Sequence, residues 1–154
     1  MARDLSEAFD IFKENGIDLG QWVLDTHAET MIRLGTLLDG FLEIALKART
    51  VRIGGVVKDE LYQKGGELQT LGAKIKKAKN VGILDEATWK DADTLREIRN
   101  EFGHLKTKVN FDSPEIEKWA KSLSTYEEGK PNQAAILGAM TKVTDRLRAS
   151  VKSS

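Results

Sequence analysis

One short segment of this chain, residues 99–104 (RNEFGH), contains three side chains that could do chemistry together. Asn100 and His104 are four residues apart, so on an α-helix they share a face, and Arg99 lies at the side of that face. A guanidinium can hold a phosphate through two parallel hydrogen bonds, and an imidazole can exchange a proton near neutral pH. The segment therefore predicts a site that could bind a phosphate and transfer a proton.

Metal-independent RNA cleavage is the reaction that fits these groups. In that reaction the ribose 2′-hydroxyl attacks the adjacent phosphate, which requires a general base, a general acid and a cation that stabilises the developing charge. Under this hypothesis Arg99 orients and stabilises the phosphate, His104 transfers protons, and Asn100 positions the substrate or the histidine. Because one chain offers a single proton-transfer group here, two copies would have to meet.

A structural role is the alternative interpretation of the same residues. An arginine and a histidine near the C-terminal end of a helix stabilise the helix dipole, and either one can pair with a nearby carboxylate. Gly103 costs about 1 kcal/mol of helix propensity relative to alanine, which favours a helix end near His104. The spacing alone leaves both roles open.

A run of four lysines forms a second candidate binding surface, made of Lys74, Lys76, Lys77 and Lys79. Such a run is typical of a solvated helix face, but it would favour RNA or another polyanion if it lined the same groove as Arg99. No motif indicates a cofactor or a metal ion. The glycines at 65, 66 and 72 are not followed by a Gly-Lys-Ser/Thr sequence, and His27 has no clustered metal ligands, so we expect a surface or interface histidine.

Composition restricts the class of protein. The 154 residues suffice for one domain with a single core, and 24 Lys and Arg balance 24 Asp and Glu. Zero net charge removes the long-range attraction to DNA phosphates, so direct DNA binding is not expected. With no cysteine, a charged N-terminus and no apolar run of about 18 residues, we expect a cytoplasmic protein with no membrane segment.

Apolar residues recur at steps of three and four almost throughout, which predicts an all-α fold. We expect a single-domain helical bundle over 1–154 with five to six helices and a frayed tail over 150–154. A short helix is predicted over 5–12, followed by a long central helix from about Gly20 to Arg49. Its apolar stripe suits packing on several neighbours and contains two rows: Leu24, Ala28, Met31, Gly35, Leu38, Leu42 and Ala45 in a heptad seam, and Leu34, Leu37, Phe41 and Ile44 beside it.

Later helices are predicted from their start and stop signals. A helix over 68–81 should stop at Gly82, and a helix of about twenty residues should follow an N-cap at Asp85 and carry the segment 99–104 near its end. Ser113 and Pro114 predict the cap and first turn of another helix, and a final helix is predicted around 135–147. Trp22, Trp89 and Trp119 are predicted to be core anchors on three different helices.

The segment 99–104 resembles the Arg-x4-His signature of HEPN domains, which are small helical bundles that often dimerise. More of the chain resembles the mannitol operon repressor (MltR) family, most clearly over 61–116. The segments that carry this resemblance follow in the order seen in that family: 61–66 (LYQKGG), 71–76 (LGAKIK), 81–84 (VGIL), 98–104 (IRNEFGH) and 111–114 (FDSP).

The resemblance implies a cytoplasmic bacterial regulator of transcription that lacks a DNA-reading motif. Such a protein would act by docking on another protein, for instance a transcription factor or a component of the sugar phosphotransferase system, and we expect a homodimer. The alternative is a HEPN-type metal-independent endoribonuclease, because many members of that group cleave RNA with a dimeric Arg-x4-His site. The first hypothesis predicts structural roles for Arg99 and His104, and the second predicts catalytic roles.

Overall fold

The computed structural model of this protein describes residues 19–104 and 109–152, with side chains described from Thr26 onward. The short helix predicted over 5–12 and the side chains of Trp22 and Leu24 lie outside this part of the chain. The described residues contain no strand, which confirms the predicted all-α fold. The helices are α1 (Leu19–Arg52), a short 3-10 helix (Asp59–Leu61), α2 (Leu71–Asn80), α3 (Glu86–Gly103), α4 (Pro114–Ala120) and α5 (Asn132–Lys152).

The long helix α1 was predicted with nearly its observed bounds, and it packs against α2, α3 and α5. The heptad seam faces these neighbours, because Met31, Leu38, Leu42 and Ala45 are all buried. Burial of such side chains contributes about 1.5–3 kcal/mol for each large one. This seam is therefore the contribution of α1 to the hydrophobic core.

The second apolar row of α1 is not part of that core. Leu37, Phe41 and Ile44 expose 52%, 36% and 56% of their surface, whereas Leu34 is half-buried. Successive residues are rotated by about 100° around a helix, so Leu37 and Ile44 lie roughly opposite the buried face. The predicted packing of α1 on several neighbours is observed, but these described neighbours cover the other face and leave most of this row exposed.

Helix α3 lies at the centre of the bundle and packs on α1, α2, α4 and α5. Its buried side includes Leu95, Ile98 and Phe102. The predicted N-cap, Asp85, accepts a hydrogen bond from the Thr88 N–H at 2.9 Å, and the Asp85 N–H donates to the Thr88 hydroxyl at 3.1 Å. This reciprocal capping box satisfies two backbone donors and fixes where α3 begins.

The ends of α2 and the start of α4 follow the sequence signals to different degrees. The Thr70 hydroxyl caps α2 by accepting from the Ala73 N–H at 3.1 Å, and α2 ends before Gly82, whose φ of 81° suits glycine. Ser113 precedes α4 as predicted but makes no side-chain cap. Its hydroxyl oxygen instead accepts from the Asn110 N–H at 2.8 Å, which stabilises the preceding turn.

Helix α5 closes the bundle against α1 and α3. It continues to Lys152, so residues 150–152 of the predicted frayed tail are helical, and residues 153–154 lie outside the described chain. At its start the Asn132 side-chain amide is buried and donates to the Phe111 carbonyl at 3.0 Å. This bond fixes the beginning of α5 against the loop that follows α3.

Candidate functional site

The side chains of Arg99, Asn100 and His104 line one open cleft at the C-terminal end of α3. Ile32 and Thr36 of α1 contribute to the same lining, and the cleft has a volume of about 520 Å³. The three residues singled out from the sequence are therefore neighbours in space. They meet because the end of α3 packs against the N-terminal half of α1.

A glycine in the α1 seam makes room for Arg99. A Cβ atom built on Gly35 would lie 2.3 Å from the Arg99 Cδ and 3.2 Å from its Cγ, both far inside normal contact distance. The arginine side chain thus lies directly on the α1 backbone. The sequence placed Gly35 in the seam, but its partner on α3 is 64 positions away and could not be read from periodicity.

The charge of Arg99 is not paired with any described carboxylate. Two glutamates also line the cleft, but both have other partners. Glu97 accepts from Arg96 at 2.7 Å, and Glu101 accepts from the Trp119 indole N–H at 3.4 Å. Within the described residues, the guanidinium of Arg99 is therefore available to an anion that enters the cleft.

His104 has left the helix. Helix α3 ends at Gly103, and His104 has an extended backbone with φ −74° and ψ 115°, while its N–H donates to the Glu101 carbonyl at 3.3 Å. The predicted helical relation between Asn100 and His104 was therefore wrong, although both line the cleft. The exposed imidazole therefore lies just beyond the end of α3. The low helix propensity of Gly103 favours a helix end at this point.

The second histidine of the chain is structural. His27 is half-buried near the start of α1, where its ring lies 4.9 Å from that of Phe111 and its Nδ1 accepts the Phe111 N–H at 3.3 Å. The expectation of a surface or interface histidine is compatible with this half-buried position, where the side chain contacts the loop that follows α3. Since His27 does not line the Arg99 cleft, the described part of one chain supplies a single imidazole to that cleft.

The four lysines do not form one exposed surface. Lys74 is 2% exposed, and its ammonium lies 2.8 Å from the Asp39 carboxylate of α1 and 3.2 Å from the Gln69 carbonyl. It does not belong to a solvent-facing binding surface, because its position on α2 turns it towards α1. This corrects the prediction that all four lysines bind a ligand.

The other three lysines lie away from the Arg99 cleft. Lys76 and Lys77 are exposed, and the Lys79 ammonium lies 3.4 Å above the Trp89 ring. Lys76 and Lys79 line a separate cleft of about 310 Å³ together with Trp89 and Arg96. The condition under which the lysine run would favour RNA, a common groove with Arg99, is not met among the described residues.

An apolar surface that we call the α1 stripe was missed as a candidate site. It consists of Leu37, Phe41, Ile44 and Val51, which expose between 36% and 64% of their surface. Their positions, with Ala48 between the last two, follow alternating steps of four and three, which is the heptad spacing of helices that pack on one another. The signal was visible in the sequence as the second row of α1, but periodicity does not say which row the fold covers.

The Arg99 cleft can bind an anion and exchange a proton, since it holds a guanidinium, a carboxamide and an imidazole. No group of three His, Cys, Asp or Glu side chains in the described residues could hold a metal ion.

Comparison of the chain with protein-family models, with curated proteins and with solved structures finds no match. Across residues 19–104 and 109–152, no helix has the length and apolarity needed to cross a membrane.

Proposed function

We propose that this chain is a regulatory binding protein that pairs with a second copy of itself through the α1 stripe and acts by contact with another protein. The observation that carries the proposal is the stripe: apolar residues at heptad spacing on the exposed face of the longest described helix. From Leu37 to Val51 the stripe extends about 21 Å along the helix. Contiguous apolar surface of this kind is typical of interaction sites rather than of solvated helix faces.

A second copy is the occupant that fits the stripe best. In a twofold dimer the same patch meets itself, so it must be apolar along its centre and free of net charge at its margins. On α1, Arg33 just before the stripe pairs with Glu29 at 2.7 Å, and Lys47 beside the stripe pairs with Glu43 at 3.4 Å. These two pairs lower the repulsion between like charges when two identical stripes approach.

The experiment that tests this pairing is sedimentation velocity over a range of protein concentrations. Ile44 is 56% exposed at the middle of the stripe, so Ile44→Glu should raise the dimer dissociation constant at least about thirtyfold. Leu137→Glu is the matched control, because Leu137 is 44% exposed on α5 and lies outside the stripe. A wild-type chain that is monomeric at every concentration would contradict the pairing, as would equal effects of both variants.

The regulatory part of the proposal rests on the resemblance to the mannitol operon repressor family. Its partner would be a transcription factor or a sugar phosphotransferase component, and zero net charge supports contact with protein rather than direct binding to DNA. A deletion strain complemented with this chain tests the idea through its transcripts. Wild type and Leu137→Glu should restore the transcript pattern, whereas Ile44→Glu should not; restoration by all three would contradict the proposal.

An endoribonuclease of the HEPN type is the second candidate function. It is favoured by one observation, the shared cleft of Arg99, Asn100 and His104 with an arginine that has no described ion-pair partner. Such an enzyme needs two clefts to meet. Parallel pairing of the α1 stripes would put the clefts at the same end, whereas antiparallel pairing about Ile44 would separate them by about 30 Å along the helix axis.

Cleavage of a mixed pool of structured and single-stranded RNAs in EDTA tests this second candidate. Arg99→Ala and His104→Ala would abolish cleavage by a ribonuclease of this kind while circular dichroism shows intact folds. Lys121→Ala provides a control, because Lys121 is exposed at the end of α4 and does not line the cleft. No cleavage by the wild-type chain at high concentration would rule out the endoribonuclease. The regulatory binding protein would then be the remaining proposed function.

A further inference from the structure

Three arginines surround a second cavity that no sequence motif indicated. Arg49 and Arg52 come from the last turns of α1, and Arg146 comes from α5. The cavity has a volume of about 290 Å³ and lies about 20 Å further along α1 than the Arg99 cleft. The remaining lining is formed by Gly82, Ile83, Ala149 and Ser150.

Two of the arginines are held in place by backbone carbonyls. The Arg146 Nε–H donates to the Ile83 carbonyl at 3.1 Å, and an Arg52 Nη–H donates to the Ser150 carbonyl. Each of these bonds uses one of the five N–H donors of a guanidinium. The two side chains are therefore positioned at the cavity before any ligand binds, which reduces the entropy lost on binding.

Arg49 has a donor that the described residues do not satisfy. Its Nε is buried and has no hydrogen-bond partner among them. Buried polar groups in folded proteins are almost always hydrogen-bonded, so this N–H is available to an acceptor that enters the cavity. None of the three arginines takes part in a salt bridge within the described chain, although Arg146 interacts with the Asp85 carboxylate beyond salt-bridge distance.

We propose that this cavity binds the phosphate group of a small phosphorylated molecule. The planar fork of a guanidinium matches two phosphate oxygens, and three converging arginines can share the charge of one phosphate dianion. The volume is at the lower end of ligand pockets, which are usually about 300–1,000 Å³, so the ligand is a small monoester or inorganic phosphate. The bound phosphate supplies the acceptor that the Arg49 Nε lacks.

The test is isothermal titration calorimetry of the full chain with inorganic phosphate and with glycerol phosphate at constant ionic strength. We expect saturable binding at one site per chain for at least one of the two probes. Tighter binding of glycerol phosphate assigns an organic monoester as the ligand, and tighter binding of inorganic phosphate assigns the free ion.

Variants of the arginines distinguish phosphate binding in this cavity from non-specific attraction of an anion to positive charge. Arg49→Gln and Arg146→Gln should each weaken binding at least about tenfold. The matched control is Arg148→Gln, because Arg148 lies nearby on α5 but is 60% exposed and 3.8 Å from Asp145. Should either glutamine variant not fold, Arg49→Lys keeps the charge but removes the planar fork, and it should also weaken binding. Titrations that do not saturate, or an equal loss in Arg148→Gln, would overturn the proposal.

Discussion

Lys74 places a positive charge inside the bundle. A carboxylate of α1 and a backbone carbonyl just before α2 compensate this charge. The ammonium lies 2.8 Å from the Asp39 carboxylate and 3.2 Å from the Gln69 carbonyl, and the side chain is 2% exposed. Asp39 is 36% exposed and keeps contact with solvent. The two partners are therefore not equivalent, because only the lysine loses most of its hydration.

Removing either partner should reveal this asymmetry in the free energy of unfolding. Asp39→Ala leaves a buried ammonium without its carboxylate and should destabilise the fold by about 3 kcal/mol. Lys74→Met keeps the volume and leaves a carboxylate that water can reach, so it should cost about 1 kcal/mol. Urea unfolding monitored by circular dichroism measures both values, and a larger loss for Lys74→Met would show that the ammonium is not effectively buried.

The contact between Gly35 and Arg99 predicts a coupling between two helices. In an Arg99→Ala background, Gly35→Ala should stabilise the protein by about 0.5–1 kcal/mol, because alanine has the higher helix propensity. In the wild-type background the same change should stabilise the protein less or not at all, since the new Cβ would lie 2.3 Å from the Arg99 Cδ. A double-mutant cycle of urea unfolding measures the difference. Equal effects in both backgrounds would mean that Arg99 does not lie on the α1 backbone.

Residue identities were a good guide to the Arg99 cleft and a poor guide to Lys74. Arg99, Asn100 and His104 are close in sequence, so any helix end at Gly103 keeps them near one another. The direction of Lys74 depends on Asp39, which is 35 residues earlier on another helix. Periodicity describes one element at a time, and it therefore cannot show which charged side chain turns inward to meet a partner.

At the scale of elements, the capping box of α3 makes stability depend on pH in a defined direction. The Thr88 hydroxyl and the Thr88 N–H both donate to the Asp85 carboxylate and lower its pKa below the ordinary 3.8, and the positive charges of Arg146 and Lys142 add to this. Because the folded-state pKa is the lower one, the ionised cap stabilises the fold above the unfolded-state pKa. This contribution is lost as the pH falls through the folded-state pKa.

Melting temperatures of Asp85 variants measured across pH test this cap. At neutral pH, Asp85→Ala should melt at a lower temperature than the wild type, whereas Asp85→Asn should melt closer to it because an amide oxygen can also cap a helix. The difference between wild type and Asp85→Asn should shrink as the pH falls below 3.8. A difference that does not change with pH would show that the carboxylate charge does not contribute to the cap.

The bounds of the helices were predictable wherever the signal is local. Gly82 adopts the left-handed conformation that ends α2, and Asp85 forms its predicted cap within four residues of chain. Ser113 shows the limit of such signals, because its hydroxyl bonds to the Asn110 N–H and not to the first turn of α4. The side chain of a cap residue can accept a hydrogen bond either from the turn before it or from the first turn of the helix after it. The sequence does not show which of these N–H groups lies within reach.

At the scale of the whole molecule, the all-α fold followed from periodicity, but the two surfaces for which we propose binding did not. Both rows of α1 are apolar, and the packing of α2, α3 and α5 on one of them leaves the other largely exposed. The arginine cavity likewise needs the ends of α1 and α5 to meet at Ile83. A surface formed by several helices depends on how these helices pack in space. The spacing of residues along the sequence does not specify that packing.

The measurement that tests the central claim most directly is disulfide cross-linking of Ile44→Cys. The chain has no cysteine of its own, so the new thiol can react only with another copy. Ile44 is at the middle of the α1 stripe, and either parallel or antiparallel pairing of two stripes puts it opposite its counterpart. Mild oxidation at micromolar protein should therefore give a dimer for Ile44→Cys on a non-reducing gel and little for the control Leu137→Cys. Equal cross-linking of both variants, or none for Ile44→Cys, would contradict the claim that two copies meet at the α1 stripe.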